Sequence, residues 1–414
     1  MNIFNFTKSE RAWVLYDVGN SAFVLLVSTI IPIYYKSLTE AAGISDVNST
    51  AFYSYALSIS TIIVALLGPI LGSIADNKGY KKPLFTMFMM LGVICCAALS
   101  IPTEWVLFLA IFILAKVGLS GSIIFYDAML VDVTTDERMD VLSSNGYAWG
   151  YLGSCIPFII SVVIVLFGGD LFGISMGTGM MFAFILNAAW WFLVTLPLLR
   201  TYEQTHYVET VEHPVRSSLS RLGKIFKELK QDKKILFFLL AFFFYIDGVY
   251  TIIELATTYG SDVGITDTNL LLALLLTQFV AFPFALLFGR LCSKHEPKKL
   301  INVCICAYFL IAVYGIFLDT AFDFWVLAVC VGVFQGAIQA LSRSYFAKLV
   351  PKEKAAEYFG IYDIFGKGAS FMGTLLVGVC TQIFNTSRAG VASLSFLFII
   401  GFIFFNMHNK IEAK

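Results

Sequence analysis

Long apolar runs recur along the chain, separated by short polar interruptions. A bilayer's hydrocarbon core takes about 20 consecutive, mostly apolar residues per spanning helix. Twelve stretches reach that length: 12–35, 51–74, 83–101, 105–130, 140–168, 176–199, 235–259, 268–290, 300–318, 322–346, 356–384 and 389–408. The first is too long for a cleavable leader and lacks a small-residue cleavage site, so it is expected to stay in the mature protein. The longest polar stretch, Thr201 to Lys234, divides six spans from six. This predicts an N-terminal half at 1–200, a cytoplasmic linker at 201–234 and a C-terminal half at 235–414. Late in the linker, SSLSRLGKIFKELKQDKK sets Leu219, Leu222, Phe226 and Leu229 on one helical face with lysines opposite, the pattern of a helix lying on a membrane surface.

Some polar residues sit inside the apolar runs, and helical spacing groups them. Trp13, Asp17, Asn20, Ser21 and Ser28 share a face in the first span; Lys116, Ser120 and Asp127 do so in the fourth. The seventh carries Asp247, Thr251, Glu254 and Thr258, and the tenth Gln335, Gln339 and Arg343. An ionised side chain in hydrocarbon is costly, so such residues usually face the bundle interior or a water-filled cavity. All four spans lead a three-helix unit, as nested repeats around a central path would require. Asp17, Asn20, Lys116, Asp247, Glu254, Gln335 and Gln339 are therefore candidate substrate-binding residues. For Asp17 and Asn20 an alternative stays open, that they tie neighbouring helices together. Asp363 and Lys367 stand at i, i+4 with the acid first, which predicts a structural or gate salt bridge.

Composition agrees with the pattern: 58% of residues are hydrophobic, 14% are charged, and mean hydropathy is +0.82. Net charge is zero, but 23 of the 28 Lys and Arg fall on segments that share the side of the N-terminus. The positive-inside rule then puts both termini in the cytoplasm, and we expect a multi-pass protein of the cell (inner) membrane. The four histidines (His206, His213, His295, His408) all fall on polar segments of that side, where solvated surface positions are expected. None of the eight cysteines makes a C-x-x-C or pairs with histidine at ligand spacing, so no metal site, cofactor or disulfide is expected. No H-E-x-x-H, G-x-S-x-G or phosphate-cradling loop occurs, which argues against an enzyme and against ATP as the energy source.

The two halves also resemble each other. GSIADNKGYKKP after the second span aligns with GRLCSKHEPKKL after the eighth, matching Gly72 to Gly289 and Lys81-Lys82 to Lys298-Lys299. Asp76 and Gly79 meet Ser293 and Glu296 in that register. YDAMLVDVTTDER (126–138) and SRSYFAKLVPKEK (342–354) set Asp127 opposite Arg343, and YDVG (16–19) pairs with YIDG (245–248). The spacing Gly72-x3-Asp76-x2-Gly79-x-Lys81-Lys82 resembles the signature loop of the major facilitator superfamily. WVLYDVGNSAF, FYDAML, GYAWGYLG and QGAIQALSRSYFAKLVPKEKAAEYFGIYDIFGKGASFMG resemble its vacuole-effluxer-like branch, whose fungal members are autophagy-related exporters of amino acids and whose bacterial members are known as permeases. The short linker and tails are closer to the bacterial members.

This resemblance implies an all-α membrane protein of twelve transmembrane helices in two pseudo-symmetric six-helix halves. It also implies an inner gate at Gly72, Asp76, Gly79, Lys81, Asp127 and Arg343, joined by Asp363 and Lys367. The missing second-half Asp predicts an asymmetric gate. Five acids in spans against three bases, a surplus of two, call for a proton or cation. The expected function is a secondary active transporter moving a small polar organic solute, a neutral amino acid by resemblance, with proton coupling and alternating access. The alternatives are sodium coupling with a different solute, and a non-transporting receptor or scaffold. The expected partners are the solute, the coupling ion and the lipid bilayer, with no nucleic acid, and the functional unit is expected to be a monomer.

Overall fold

The computed structural model describes residues 5–101, 104–209, 227 and 229–412. In chain order its helices are α1 (Lys8–Ser28), α2 (Ile30–Ala41), α3 (Asp46–Ala75), α4 (Lys81–Ala98), α5 (Trp105–Ala128), α6 (Leu130–Val133) and α7 (Asp136–Phe172). There follow α8 (Met176–Thr201), α9 (Lys233–Asp262), α10 (Asp267–Leu291), α11 (Pro297–Ile316), α12 (Ala321–Leu349), α13 (Ala355–Phe384) and α14 (Ser387–Glu412). Twelve segments among the described residues are long and apolar enough to cross a membrane, with α1–α2 and α5–α6 each forming one span. The predicted surface helix at 217–234 lies largely outside the described residues; Leu229, at its end, is buried.

Most helices run past the apolar limits read from sequence, and at several of them a polar cap satisfies free N–H groups of the first turn. Thr7 and Glu10 form a reciprocal capping box at the start of α1. Glu10 also pairs with Arg138 at 2.7 Å, which ties α1 to the start of α7. The first span breaks at Thr29 for two reasons. Pro32 has no N–H to offer the Ser28 carbonyl, and the Ser28 and Thr29 hydroxyls turn back onto the Leu25 carbonyl at 3.1 and 2.5 Å.

In a membrane the hydrophobic effect does not drive helices together, so close packing through small residues does. Along α7, Gly146, Gly150 and Gly153 lie against α1. A Cβ on each would fall 2.3 Å from Asp17 Oδ2, 2.9 Å from Ser21 Oγ and 2.4 Å from Val18 Cγ1. Across the halves, Gly72 of α3 meets Ala356 of α13, and Gly289 of α10 meets Ser144 of α7.

Both chain ends gather at one end of the bundle, here called the inner end, where Glu412 pairs with Lys298 at 3.0 Å. His408 corrects the expectation of four solvated histidines, because its ring is fully buried. His408 is the last residue of the twelfth apolar run, and on α14 it faces α9 and α12. There it contacts the Tyr345 hydroxyl at 2.7 Å and donates to the Lys234 carbonyl at 2.9 Å.

Candidate functional site

The polar stripes converge at the inner end on Arg343, which α12 carries across into a pocket of the first half. Gln335, Gln339 and Arg343 follow one another at four-residue intervals along one face of α12. The guanidinium donates from Nη1 to Asp127 at 3.1 Å and from Nη2 to Asp17 at 3.2 Å. Its Nε donates to Ser143 Oγ at 2.9 Å, and Nη2 also reaches the Ser143 carbonyl at 3.1 Å. The rings of Tyr147, Trp13 and Tyr126 surround it, with centroids 4.4, 4.6 and 5.5 Å away. Desolvating a guanidinium is expensive unless its donors all find acceptors, and this pocket supplies two carboxylates, a hydroxyl, a carbonyl and three aromatic faces.

Spacing leaves Asp17 open between the solute path and a helix tie, and here it binds Arg343 at the inner end. It lies near the start of α1, within reach of the opposite half. Asn20 is also buried, and its amide donates to the Tyr16 carbonyl at 2.8 Å within its own helix. Asp17 is thus a tie between helices in this state, whereas the Asn20 bond stays within α1.

A second junction joins α3 to α13. A Cβ on Gly72 would stand 2.2 Å from the Ala356 carbonyl oxygen, so a larger residue cannot sit there without moving α13. One turn later Asp76 accepts from the backbone N–H groups of Ala356 and Glu357, both at 2.9 Å. A carboxylate on two free amides of a helix N-terminus satisfies the orphan donors and meets the positive end of the helix dipole. Burial pushes the Asp76 carboxyl up to about 7, against the opposing pull of Lys81 and the two amides.

Gly79 turns the loop with φ +82° and donates to Gln204 Oε1 at 3.0 Å. Lys81, fully buried, pairs with Asp132 of α6 at 2.9 Å. Asp132 also accepts from the Tyr202 hydroxyl at 2.6 Å and the His206 N–H at 2.8 Å. Burial and the Asp132 charge hold the Tyr202 hydroxyl well above its ordinary value, which keeps it a donor. The linker's first residues are thereby strapped to the signature loop.

Other gate residues escape the sequence reading. Asp140 of α7 takes Lys348 of α12 at 2.6 Å and the Ser344 hydroxyl at 2.7 Å, and Asp136 takes Lys352 at 2.7 Å. A signal is present: acids at 136 and 140 and bases at 348 and 352 repeat at i, i+4.

Towards mid-membrane the character changes. Lys116 of α5 lies within electrostatic reach of Lys367, Glu254 and Asp363, all from the second half. Among the described residues it makes no hydrogen bond or ion pair. Glu254 is exposed although it lies within electrostatic reach of Lys116. Asp363 and Lys367 pair at 2.5 Å, and both lie within electrostatic reach of Lys116. The expected salt bridge forms, and Asp363 also lies within electrostatic reach of Asp127 in the Arg343 pocket. Gln339 donates to the Tyr151 hydroxyl of α7 at 3.4 Å, and Gln335 is buried beside it.

Asp247 points elsewhere. It is fully buried, and its Oδ1 accepts from the Gly373 N–H at 2.9 Å, within the second half. Along both leading helices exposure grows outward: Asp17 and Asn20 are buried and Ser28 exposed; Asp247 and Thr251 are buried and Glu254 and Thr258 exposed. These polar residues are therefore buried towards the inner end and more exposed further out.

Solved structures with this architecture are transporters. The human organic anion transporter MFSD10 superposes with TM-score 0.71 at 13% identity, covering 96% of this chain and 99% of its own. The transporter FucP in its outward conformation gives 0.68 at 12%, covering 98% and 99%. The fold is that of the major facilitator superfamily, twelve spans in two six-helix halves, and together with the sequence relatives that follow it defines a membrane transporter of that class. Sequence narrows it further. The family described as vacuole effluxer Atg22 like matches residues 7–138 and 131–414, and the chain belongs to that family. It is similar to the MFS-type transporter YxiO of Bacillus subtilis, 46% identical over 402 residues, covering 96% of this chain and 94% of the relative. Autophagy-related protein 22 of Eremothecium gossypii is 24% identical, covering 97% and 92%.

Proposed function

We propose that this transporter carries a small zwitterion, a neutral amino acid, by proton-coupled alternating access. The observation that carries the reading is the central pair from opposite halves: Lys116, without a hydrogen-bond or ion-pair partner among the described residues, and the exposed Glu254 within its electrostatic reach. An α-carboxylate on Lys116 and an α-ammonium on Glu254 would bridge the halves, so binding energy would favour the state in which both contacts are made. Asp363 and Lys367 set the field around the site. Gln335, Gln339 and Tyr151 form its floor above the Arg343 gate. The family description and the resemblance to fungal exporters support an amino acid cargo and outward movement.

The inner end faces the cytoplasm of the cell (inner) membrane in this reading, the monomer is the working unit, and the spans meet lipid directly. The 1–200 and 235–414 halves rock about the central site, joined by the 201–234 linker. Proton coupling follows from the surplus of acids in the spans. Sodium coupling, and a receptor or scaffold that binds without flux, are the competing outcomes.

The test is uptake of radiolabelled neutral amino acids into proteoliposomes under an imposed pH gradient. Accumulation that collapses with a protonophore and persists without sodium is expected, and Lys116→Ala should raise the half-saturating concentration at least tenfold. Binding without flux, or flux driven by sodium alone, overturns the reading.

A further inference from the structure

Resting on that reading, we propose that the coupling proton is held by Asp247 and reaches it through a second cavity inside the C-terminal half, apart from the solute site at Lys116 and Glu254. The Asp247 carboxylate is divided in its partners. Oδ1 accepts from the Gly373 N–H at 2.9 Å and the Thr251 hydroxyl at 3.3 Å. Oδ2, equally buried, has no hydrogen-bond partner among the described residues. A buried carboxylate oxygen without a donor is costly, and a proton taken from water relieves that cost by forming an O–H bond. Gly373 is a close fit, since a Cβ there would fall 2.5 Å from Asp247 Oδ1 and 2.2 Å from Thr251 Oγ1.

Thr251 also lines a cavity of about 360 Å³ between α9, α11, α12, α13 and α14. Its wall is largely aliphatic, but polar residues recur on two of the helices. α9 contributes Thr251, Thr258 and Asp262, and α13 contributes Thr374, Thr381 and Gln382. Thr251 and Thr374 stand at the deep end, and Asp262 and Gln382 near the outer ends of their helices. A water molecule inside a protein needs roughly two to four polar partners, and this double row supplies them along the length of the cavity. Glu254 lies on the edge of the same face of α9 but outside the cavity wall.

The charged groups around Asp247 are few. Glu254 is on its own helix, Asp363 and Lys367 lie further inward on α13, and α14 presents the apolar ring of Phe398 at the neighbouring Gly248. In the transfer step, a hydronium ion at the cavity's deep end gives a proton to the Thr251 hydroxyl and leaves as water, while that hydroxyl passes its own proton to the Asp247 carboxylate it already meets at 3.3 Å. The reverse transfer follows on the inner side once the halves have rocked.

A cargo-independent test is proton uptake by the purified protein in detergent after a rapid drop in pH, read with a soluble pH indicator. The parent should show an uptake phase that is absent in Asp247→Asn. Gly378 lines the cavity, and a Cβ there meets nothing within 4 Å, so bulk can be introduced. Gly378→Trp should slow the phase at least tenfold while keeping its amplitude. Thr251→Val, which preserves volume, should slow it severalfold and covers the case in which the tryptophan variant does not fold. Uptake at the parental rate in both cavity variants overturns the route, and persistence of the phase in Asp247→Asn overturns the site. Failure of the transport reading looks different: the uptake phase is present, but proteoliposomes accumulate nothing under a pH gradient.

Discussion

The two crossings that close the inner end are related by the pseudo-symmetry of the halves, yet they are built differently. At one, Gly72 of α3 lies against Ala356 of α13; at the other, Gly289 of α10 lies against Ser144 of α7. The steric device is the same at both, a glycine that lets backbones approach. The electrostatic device is present at only one. Asp76 holds two amides of α13, whereas Ser293, in the matching position, turns its hydroxyl back to the Arg290 carbonyl at 2.7 Å. The α7 side relies instead on Asp136 and Asp140 reaching Lys352 and Lys348 beyond and at the end of α12. Packing therefore sets where the halves meet, and the buried carboxylate makes one meeting point switchable.

The largest effect is expected from Gly72→Val. Its side chain must displace the Ala356 backbone, and overpacking of this kind costs about 1–3 kcal/mol, up to roughly a hundredfold in the ratio of closed to open states. Gly289→Val should cost less, since the nearest atom to its Cβ, Ser144 Cβ at 2.6 Å, stands further off than the Ala356 oxygen does from a Cβ on Gly72, at 2.2 Å. Cysteine-accessibility labelling at the inner end would rank the two.

Asp76→Asn comes next. The amide nitrogen cannot accept, so one of the two α13 amides loses its partner, at a cost of about 1–3 kcal/mol. Inner-end accessibility should rise and transport slow, with folding intact by size-exclusion profile. Ser293→Asp approaches the same asymmetry from the other side. If a carboxylate there reaches the first turn of α7, as Asp76 does for α13, it should favour the closed state by about 0.3–1 kcal/mol and slow turnover a few fold.

The smallest effect is a pH dependence. Burial holds Asp76 near 7 in the closed state, and exposure on opening would return it towards an ordinary carboxylate value of about 3.9. The closed state thus binds the proton more tightly. Closure should strengthen as inner pH falls below about 7 and weaken as pH rises through 7, and Asp76→Asn should flatten the profile of inner-end accessibility against pH.

Much of this is legible in the sequence. Span count and the division into halves follow from run length alone, because a bilayer leaves few ways to hide a backbone. Asp76, Asp127 and Arg343 are visible as charges at helix ends in matching positions. Asp17 is harder: its spacing fits a cavity face and a gate equally, and only the arrival of Arg343 from 326 positions away decides. Asp363 and Lys367 read as a structural or gate pair, because an i, i+4 pair reveals its partner but not its depth. Gly146 stands in a motif without a visible role, since nothing in sequence says that a Cβ there would strike Asp17. His408 reads as solvated because it ends its span at the polar tail, and only its contacts on α14 show otherwise.

If the inner end opens and closes by release of the α3–α13 junction, the distance across that junction must change. Lys78 and Glu353 are exposed on either side of it, so spin labels there report the gate distance directly by pulsed electron resonance. Two populations are expected in the parent, a dominant short distance and a minor longer one, with Asp76→Asn shifting weight to the longer. A single short distance in parent and variant alike, in protein that still transports, would contradict a gate at this junction.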